Sequence, residues 1–530
     1  MLHTLKLQTG DVTTELTYDG LGLRIEGDVK AVQRASKRSV AELTVVPIAK
    51  IHILNLYFDA NAHLLRIHTL VPRQAALPDS PLDLVSFLCT VSDDKSQEAE
   101  IFASSVLEHV YEGIQKEKHL KVLINPFGGQ KLATKIFNEK VMPVFECAKC
   151  KVDVQYTERK GHAVDIAREL DIDAFDAIVT VSGDGVIHEV LNGFSQRPDA
   201  RLALKKVPLG VIPGGTGNAL SICLLGEVLG FDPVYTALQV IKGKPMAFDT
   251  CSVTYDDHRY LSFLSHNYGI TSYADLATEN MRWMGDARTI LGLLQQMLAR
   301  QTYSMEAALL IEESSKDKIL EGFEEARAPS STSAERNVEP SDGPIEDTIP
   351  DISEPVPHNW TKISSDISFF LTSKTPWLAR GMLSHPCALP NDGMLDLLLV
   401  RGNNSLLKEL EIFGKVEKGN HLDSDAVEYY KIKAFRLTPI EKKGKKAYVA
   451  IDGEHAPVKT FQVQVHPGLG TVLSLYGNYA NQRTYRPSFR RKKSSASGAS
   501  KLRSKLVYII SLIKNFGDAL RKLFRRQGFS

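Results

Sequence analysis

Cysteine is scarce in this sequence. The six in 530 residues (Cys89, Cys147, Cys150, Cys223, Cys251, Cys387) are too few and too scattered for a disulfide framework. Cys147-Ala-Lys-Cys150 lacks the second pair that a zinc site of this kind needs. The N-terminus has neither a basic n-region nor an apolar h-region, so the chain reads as cytosol-facing and not secreted. Long apolar runs are missing from the C-terminal tail: its apolar centre, Leu506 to Ile513, falls far short of the about twenty residues that cross hydrocarbon. No transmembrane helix is expected. Net charge is nearly absent too, at +1, and no nucleic-acid partner is expected. Also lacking are a Gly-x-x-x-x-Gly-Lys-Ser/Thr loop and the H-R-D and D-F-G pieces of protein kinases, which excludes P-loop and protein-kinase chemistry.

What is present falls into four regions. Residues 1–116 carry short alternating runs (TLKLQTG, LTVVPI, IHILNLYF, HLLRIHTL) closed by the helical pattern AEIFASSVLEHVYEGI, a β-rich module resembling a pleckstrin-homology domain. Residues 117–245 alternate strands (KVLINPF, KVDVQYT, AIVTVSG, LGVIPGG) with helices, the rhythm of a parallel α/β sheet. Residues 246–480 read mostly as strands, an antiparallel β-rich lobe. Within it, 312–358 is rich in acid, Pro and Ser and poor in aromatics, so a disordered acidic insertion is expected, with deletion of 315–355 leaving activity within a fewfold. The tail, 481–530, holds about fourteen Lys and Arg between 483 and 526 against one Asp. Leu502, Leu506, Ile509, Ile513, Phe516, Leu520 and Leu523 recur there at helical spacing, so a basic amphipathic helix on an anionic membrane surface is expected, with a terminal helix packed on the lobes as the alternative.

Three glycine-rich loops follow three of the predicted parallel strands: Asn125-Pro126-Phe127-Gly128-Gly129, Ser182-Gly183-Asp184-Gly185, and Pro213 to Asn218. Ligands bind outside the carboxyl ends of such strands, where helix N-termini offer unpaired N–H groups. Any one loop could be a turn with a capping residue, Asp184 being an N-cap. Three together favour a nucleotide phosphate site. Gly215-Thr216-Gly217-Asn218-Ala219 follows the fourth strand and has Leu220 in its sixth position, which argues against nicotinamide binding. A glycine cradle with a carboxylate at its rim suits phosphoryl transfer: donors hold phosphates and a base orients a hydroxyl.

VLINPFGG, VSGDGVIHEVLNG and IPGGTGNAL, in this order and spacing, resemble the diacylglycerol-kinase catalytic superfamily and specifically its sphingosine kinase, or sphingoid long-chain-base kinase, branch. Ser182 before GDG, His188-Glu189 followed by Asn192-Gly193, and GTGNAL carry the distinction. The similarity runs over roughly 118–478, through YADLATENMRWMGDARTILG, FGKVEKGNH, AFRLTP and AYVAIDGE. The resemblance implies a phosphofructokinase- or NAD-kinase-like α/β lobe and a lipid-binding β lobe that together phosphorylate the primary hydroxyl of a sphingoid base with ATP and Mg2+. It makes Asp184 the catalytic base within the substrate-binding stretch Ser182, Gly183, Asp184, Gly185, and Asp275 the residue that recognises the lipid head group. It assigns nucleotide contacts to Asn125, Pro126, Phe127, Thr157, Glu158, Arg159, Lys160, Gly161, Glu189, Gly215, Thr216 and Gly217. Arg282 and Arg288 become phosphate-binding arginines, and Asp452, Gly453 and Glu454 reach back to the nucleotide and its magnesium, although IDGE alone reads as a hairpin turn. Phe127 departs from relatives that carry Arg or another polar residue, which leaves only backbone contacts to ATP there. His162, His258, His266, His385, His421 and His466 read as structural. A ceramide or diacylglycerol kinase, a non-catalytic lipid-binding regulator and a possible homodimer stay open.

Overall fold

A computed structural model of the 530-residue chain describes residues 3–9, 12–27, 30–33, 45–73, 80–215, 217–256, 258–276, 287–327, 343–442 and 446–487. At the N-terminus two antiparallel sheets face one another. One comprises β1 (His3–Thr9), β2 (Val12–Tyr18), β3 (Gly22–Glu26) and β5 (Val45–Ala49); the other β4 (Lys30–Gln33), β6 (Ile53–Asp59), β7 (Leu64–Pro72) and β8 (Leu82–Thr90). Helix α1 (Ser96–Val110) follows, burying Ala99, Phe102, Ala103, Val106 and Val110, a stripe at three- and four-residue spacing.

The α/β lobe contains β9 (His119–Ile124), α2 (Ala133–Ile136), α3 (Met142–Cys147), β10 (Lys151–Tyr156), α4 (His162–Glu169), β11 (Ala177–Ser182), α5 (Asp184–Ser195), α6 (Ala200–Lys206), β12 (Leu209–Pro213), α7 (Ala219–Leu225) and α8 (Pro233–Lys242). The strands pair in parallel in the order β10-β9-β11-β12. β11 and β12 are buried at every residue, as central parallel strands covered on both faces should be. β10 forms the edge, and its residues are correspondingly more exposed. Register puts Ile124, Tyr156 and Val181 side by side, and Ser182 beside Pro213, so all four strands end at one edge.

The second lobe contains β13 (Lys244–Tyr255), β14 (His258–Ser262), β15 (Ser265–Gly269), α9 (Ile270–Leu276), α10 (Ala287–Leu298), β16 (Tyr303–Glu313), α11 (Lys316–Glu325), β17 (Thr361–Ser373), β18 (Leu395–Arg401), α12 (Leu406–Phe413), β19 (Val427–Ile440), β20 (Val449–Ile451), β21 (Glu454–Ala456), β22 (Phe461–Ser474) and α13 (Ala480–Thr484). Its pairings are antiparallel, but β22 also touches β12 in parallel at Leu209 and Val472. One 14-stranded sheet therefore runs through both lobes. The architecture matches the fold class expected for the α/β lobe and the β-rich lobe.

The expectation of disorder over 312–358 is wrong wherever that segment is described. Residues 316–325 form α11, capped by Ser315 and burying Ile319, Leu320 and Phe323. Residues 343–360 lie as a strap across β13, β14 and β22. Asp347 accepts from Ser252 Oγ (2.6 Å), Arg259 Nε (2.9 Å) and Nη2 (2.8 Å), and pairs with His466 Nε2 (3.1 Å). The amides of Thr348 and Ile349 donate to Gln464 Oε1, and Arg436 donates to the carbonyls of Asp351 and Glu354. Composition foretold too little apolar burial; polar ties to a sheet hold the strap instead. Residues 328–342, in the same stretch, lie outside the described residues.

The tail boundary also moves. Residues 480–487 belong to the body: Tyr485 is buried, with its hydroxyl donating to the carbonyl of Gly419, and Arg483 donates to the carbonyl of Leu224. The amphipathic stretch expected over 501–526 lies outside the described residues.

Candidate active site

Asp184 is the first residue of α5, and Gly183 is its N-cap. Its carboxylate turns away from its own helix to the start of α7. There it accepts from the amides of Ala219 (2.8 Å) and Leu220 (3.2 Å), while its own amide donates to the carbonyl of Gly217 (3.2 Å). Two helix N-termini thus converge on one carboxylate. Only 8% of the residue is exposed, and burial pushes its pKa up to about 6 against the pull of the two amides, with the charge of Asp452 adding to the rise. A carboxylate poised there is ionised at neutral pH yet basic enough to accept a proton.

The glycines are explained by close approach. A Cβ on Gly215 would sit 2.6 Å from Gly183 Cα, and one on Gly183 would sit 2.8 Å from the carbonyl oxygen of Gly217. The loops after β11 and β12 can meet only if neither has a side chain there. The loop after β9 lies alongside, since the amide of Asn125 donates to the carbonyl of Val181 (3.2 Å). Asn125 Oδ1 accepts from the amides of Phe127 and Gly128, leaving Pro126 in a tight turn and the Phe127 side chain 64% exposed.

After β10, Thr157 is buried, with its amide on the carbonyl of Ile124. The amide of Glu158 meets His162 Nδ1, and Arg159 pairs with Asp165. Glu189, on α5, caps α4 by accepting from the amides of Gly161 (2.9 Å) and Ala163 (3.1 Å). Lys160 reaches across to Glu454, Nζ to Oε2 2.7 Å, bridging the α/β lobe and the β20–β21 hairpin. That hairpin turns through Asp452 (φ +51) and Gly453 (φ +79), two successive positive values that suit a two-residue loop. Glu454 Oε1 lies 3.9 Å from where a Gly185 Cβ would be, so its carboxylate stands over the start of α5.

Asp452 faces inward. Its carboxylate is bonded by Ser262 Oγ (2.7 Å), by the amides of Phe263, Leu264 and Ser265, and by His188 Nδ1 (2.9 Å). Burial would raise its pKa, but the bond and charge of His188 and the Ser262 bond hold it below the ordinary value. His188 and Asn192 follow Asp184 at four-residue steps, on one face of α5. Asn192 donates to the carbonyl of Leu261 (2.8 Å) and accepts from its amide (2.8 Å), tying α5 to β14. This stripe, which aligns the two lobes, was overlooked as a site feature. Its signal is three polar residues at i, i+4 and i+8, which share one face of the helix.

The structure thus brings together Ser182 to Gly185, Gly215, Gly217, Lys160, Gly161, Glu189 and the hairpin Asp452 to Glu454. Asp275 and Arg288 are placed by their helices, α9 and α10; Thr216 and Arg282 lie outside the described residues. Among the described residues no cluster of His, Cys, Asp and Glu forms a ready metal cage, and no helix is long and apolar enough to cross a membrane.

A parallel-strand edge with a buried carboxylate between converging helix N-termini, facing a β-rich lobe, is an arrangement suited to phosphoryl transfer. Residues 119–253 match the diacylglycerol kinase catalytic domain, and residues 365–474 match the YegS C-terminal NAD kinase beta sandwich-like domain. The chain is 34% identical to sphingoid long chain base kinase 4 of Schizosaccharomyces pombe, over 72% of this chain and 80% of that one. It is 30% identical to sphingoid long chain base kinase 5 of Saccharomyces cerevisiae (78% and 67%) and 31% identical to sphingosine kinase 1 of Homo sapiens (67% and 90%). The chain belongs to the sphingoid long-chain-base kinase family, and as a kinase of that family it takes its phosphoryl group from ATP.

Proposed function

We propose that this chain transfers the γ-phosphate of ATP to the primary hydroxyl of a sphingoid long-chain base, giving ADP and the 1-phosphate. The observation that carries the reading is Asp184: buried, raised to about 6 and set where two helix N-termini meet. In this proposal Asp184 accepts the hydroxyl proton as the oxygen attacks. The glycine loops after β9, β11 and β12 offer amides to the phosphates, and Lys160, Arg282 and Arg288 balance their charge. Asp275, on α9, pairs with the ammonium of the base.

The residues fit a magnesium nucleotide. Mg2+ takes one or two carboxylates plus phosphate oxygens. Glu454 stands over the start of α5, and the buried Oδ1 of Asn218, beside Asp184, has no partner among the described residues. Asp452 has its carboxylate filled by five partners, so Glu454 is the better candidate in that hairpin. A bound Mg2+ would neutralise charge on the phosphates.

We infer also that the basic stretch 501–526 holds the enzyme on anionic, cytosol-facing membranes, where its substrate resides. Labelled ATP offered with sphingosine, dihydrosphingosine, phytosphingosine, ceramide and diacylglycerol tests the activity. Label is expected on the sphingoid bases; label on ceramide or diacylglycerol alone would overturn the substrate assignment.

A further inference from the structure

Strand β15 runs directly into α9, and the junction gathers buried polar atoms without a hydrogen-bond partner among the described residues. Among the described residues, the buried side-chain atoms without a hydrogen-bond partner include His266 Nε2, Asn267 Oδ1 and Thr271 Oγ1, all within six positions. His266 and Asn267 each keep one bond, to Thr372 Oγ1 (2.8 Å) and Ser265 Oγ (3.3 Å). The Thr271 hydroxyl has none, and the residue is 8% exposed. Its neighbour Ser272 already ties the turn, donating to the carbonyls of Gly269 (2.8 Å) and Tyr448 (2.7 Å). Valine in place of Thr271 would have nearly the same shape and no desolvated hydroxyl. The fold therefore gains nothing from this hydroxyl, which suits a partner that arrives with a ligand.

Position says which ligand. Thr271 precedes Asp275 by four residues on α9, so the two positions share one face, a helical turn of about 5.4 Å apart. In the proposed function Asp275 is the partner of the ammonium, and the role inferred for Thr271 rests on that reading. A sphingoid base carries its amine on C2 and a hydroxyl on C3, adjacent to it and within reach of the same carboxylate. The next polar group along the chain, where there is one, is a hydroxyl on C4. Beyond it the lipid is purely apolar, and Thr271 itself sits among buried hydrophobic residues of α9, Ile270 before it and Ala274 within the next turn.

We propose that Thr271 hydrogen-bonds the C4 hydroxyl of the base, making 4-hydroxylated bases of the phytosphingosine type the preferred substrates. A site with a buried hydroxyl waiting for a partner disfavours an analogue that lacks one, because the hydroxyl then stays unpaired.

The test compares kcat/KM for phytosphingosine, dihydrosphingosine and sphingosine in the full-length enzyme and in Thr271→Val, Thr271→Ser and Asp275→Asn. The wild type is expected to favour phytosphingosine over dihydrosphingosine by about tenfold. Thr271→Val should bring that ratio close to one, with the loss falling on the 4-hydroxylated base, and Thr271→Ser should restore it. A thermal midpoint for Thr271→Val at or above wild type would show that the fold survives. Equal kcat/KM for the two bases in the wild type, or a ratio that Thr271→Val leaves in place, would overturn the proposal. Asp275→Asn separates the two readings. If it raises KM for all three bases together, the head-group reading stands and a failure at Thr271 belongs to Thr271 alone; if it raises none of them, the head-group reading itself falls.

Discussion

Asp184 shows how a single residue can serve two purposes. As an isolated N-cap it would be exchangeable for asparagine, which caps a helix about as well. The structure instead has it receive two amides from α7, one on each oxygen, and an asparagine could accept only one while turning its NH2 group toward the other. Asp184→Asn should therefore cost stability as well as turnover. Loss of the base lowers kcat on the order of a hundredfold or more, and one amide left unpaired removes about 1–3 kcal/mol. Steady-state rates with labelled ATP, read beside a urea unfolding curve, check both parts; wild-type turnover would remove the assigned role. A pH profile gives a second check. In the proposed role the ionised carboxylate is the active form, so with a pKa raised to about 6 kcat/KM should fall as pH drops below about 6, approaching tenfold per pH unit. An unperturbed aspartate would hold activity down to near its ordinary value of 3.8. The position of Asp184 was legible in the sequence: alone it read equally well as an N-cap, and three glycine loops together with the family resemblance singled it out. Its pKa was not, since that depends on burial, α7 and Asp452, which come from remote parts of the chain.

At the scale of elements, structure is legible in the sequence where one physical period dominates and hidden where remote contacts decide it. The buried runs of β11 and β12 are uniform enough to be read directly as parallel strands. The strap at 343–360 has no such period. Its order comes from Asp347, from amides donated to Gln464 and from scattered anchors, Ile345 and Trp360, each buried against a different neighbour. Nothing in the local sequence reveals partners a hundred residues away. The expectation that 315–355 can be removed at little cost must accordingly be reversed. Asp347→Ala leaves Arg259 and the buried His466 and Ser252 without their shared acceptor, and we expect a loss of about 1–3 kcal/mol. Chemical denaturation followed by tryptophan fluorescence would measure it. A stability within about 0.5 kcal/mol of wild type would mean that the strap lies loosely on the sheet.

Across the whole molecule, two buried lysines lie where the chain leaves α1 and enters the catalytic lobe, and one of them, Lys242, donates to the carbonyl of Val110 at the end of α1. Lys118 Nζ donates to the carbonyls of Val240 (2.9 Å), Ile241 (3.0 Å) and Gly243 (3.2 Å). Lys242 lies over the Tyr111 ring, 3.1 Å from its centre, and burial lowers its pKa to about 6. That interface was invisible in the sequence, where nothing marks either lysine as buried. The opposite end of the chain is the reverse case, since its amphipathic spacing is plain in the sequence while residues 488–530 lie outside the described structure. The boundary found at 487 shapes the experiment. A cut at 483 would remove Tyr485 and its bond to Gly419, and with them part of the body; removal of 488–530 spares both. Near an anionic leaflet each basic residue contributes up to about 1 kcal/mol, and the apolar stripe from Leu502 to Leu523 adds burial of its own. Full-length protein should therefore float with vesicles containing phosphatidylserine, less so as salt rises, while the chain ending at 487 stays at the bottom of the gradient yet still phosphorylates detergent-solubilised base. If the two proteins float equally well, the anchor lies elsewhere on the surface; if the shortened one loses activity in detergent too, the tail belongs to the catalytic body rather than to the membrane.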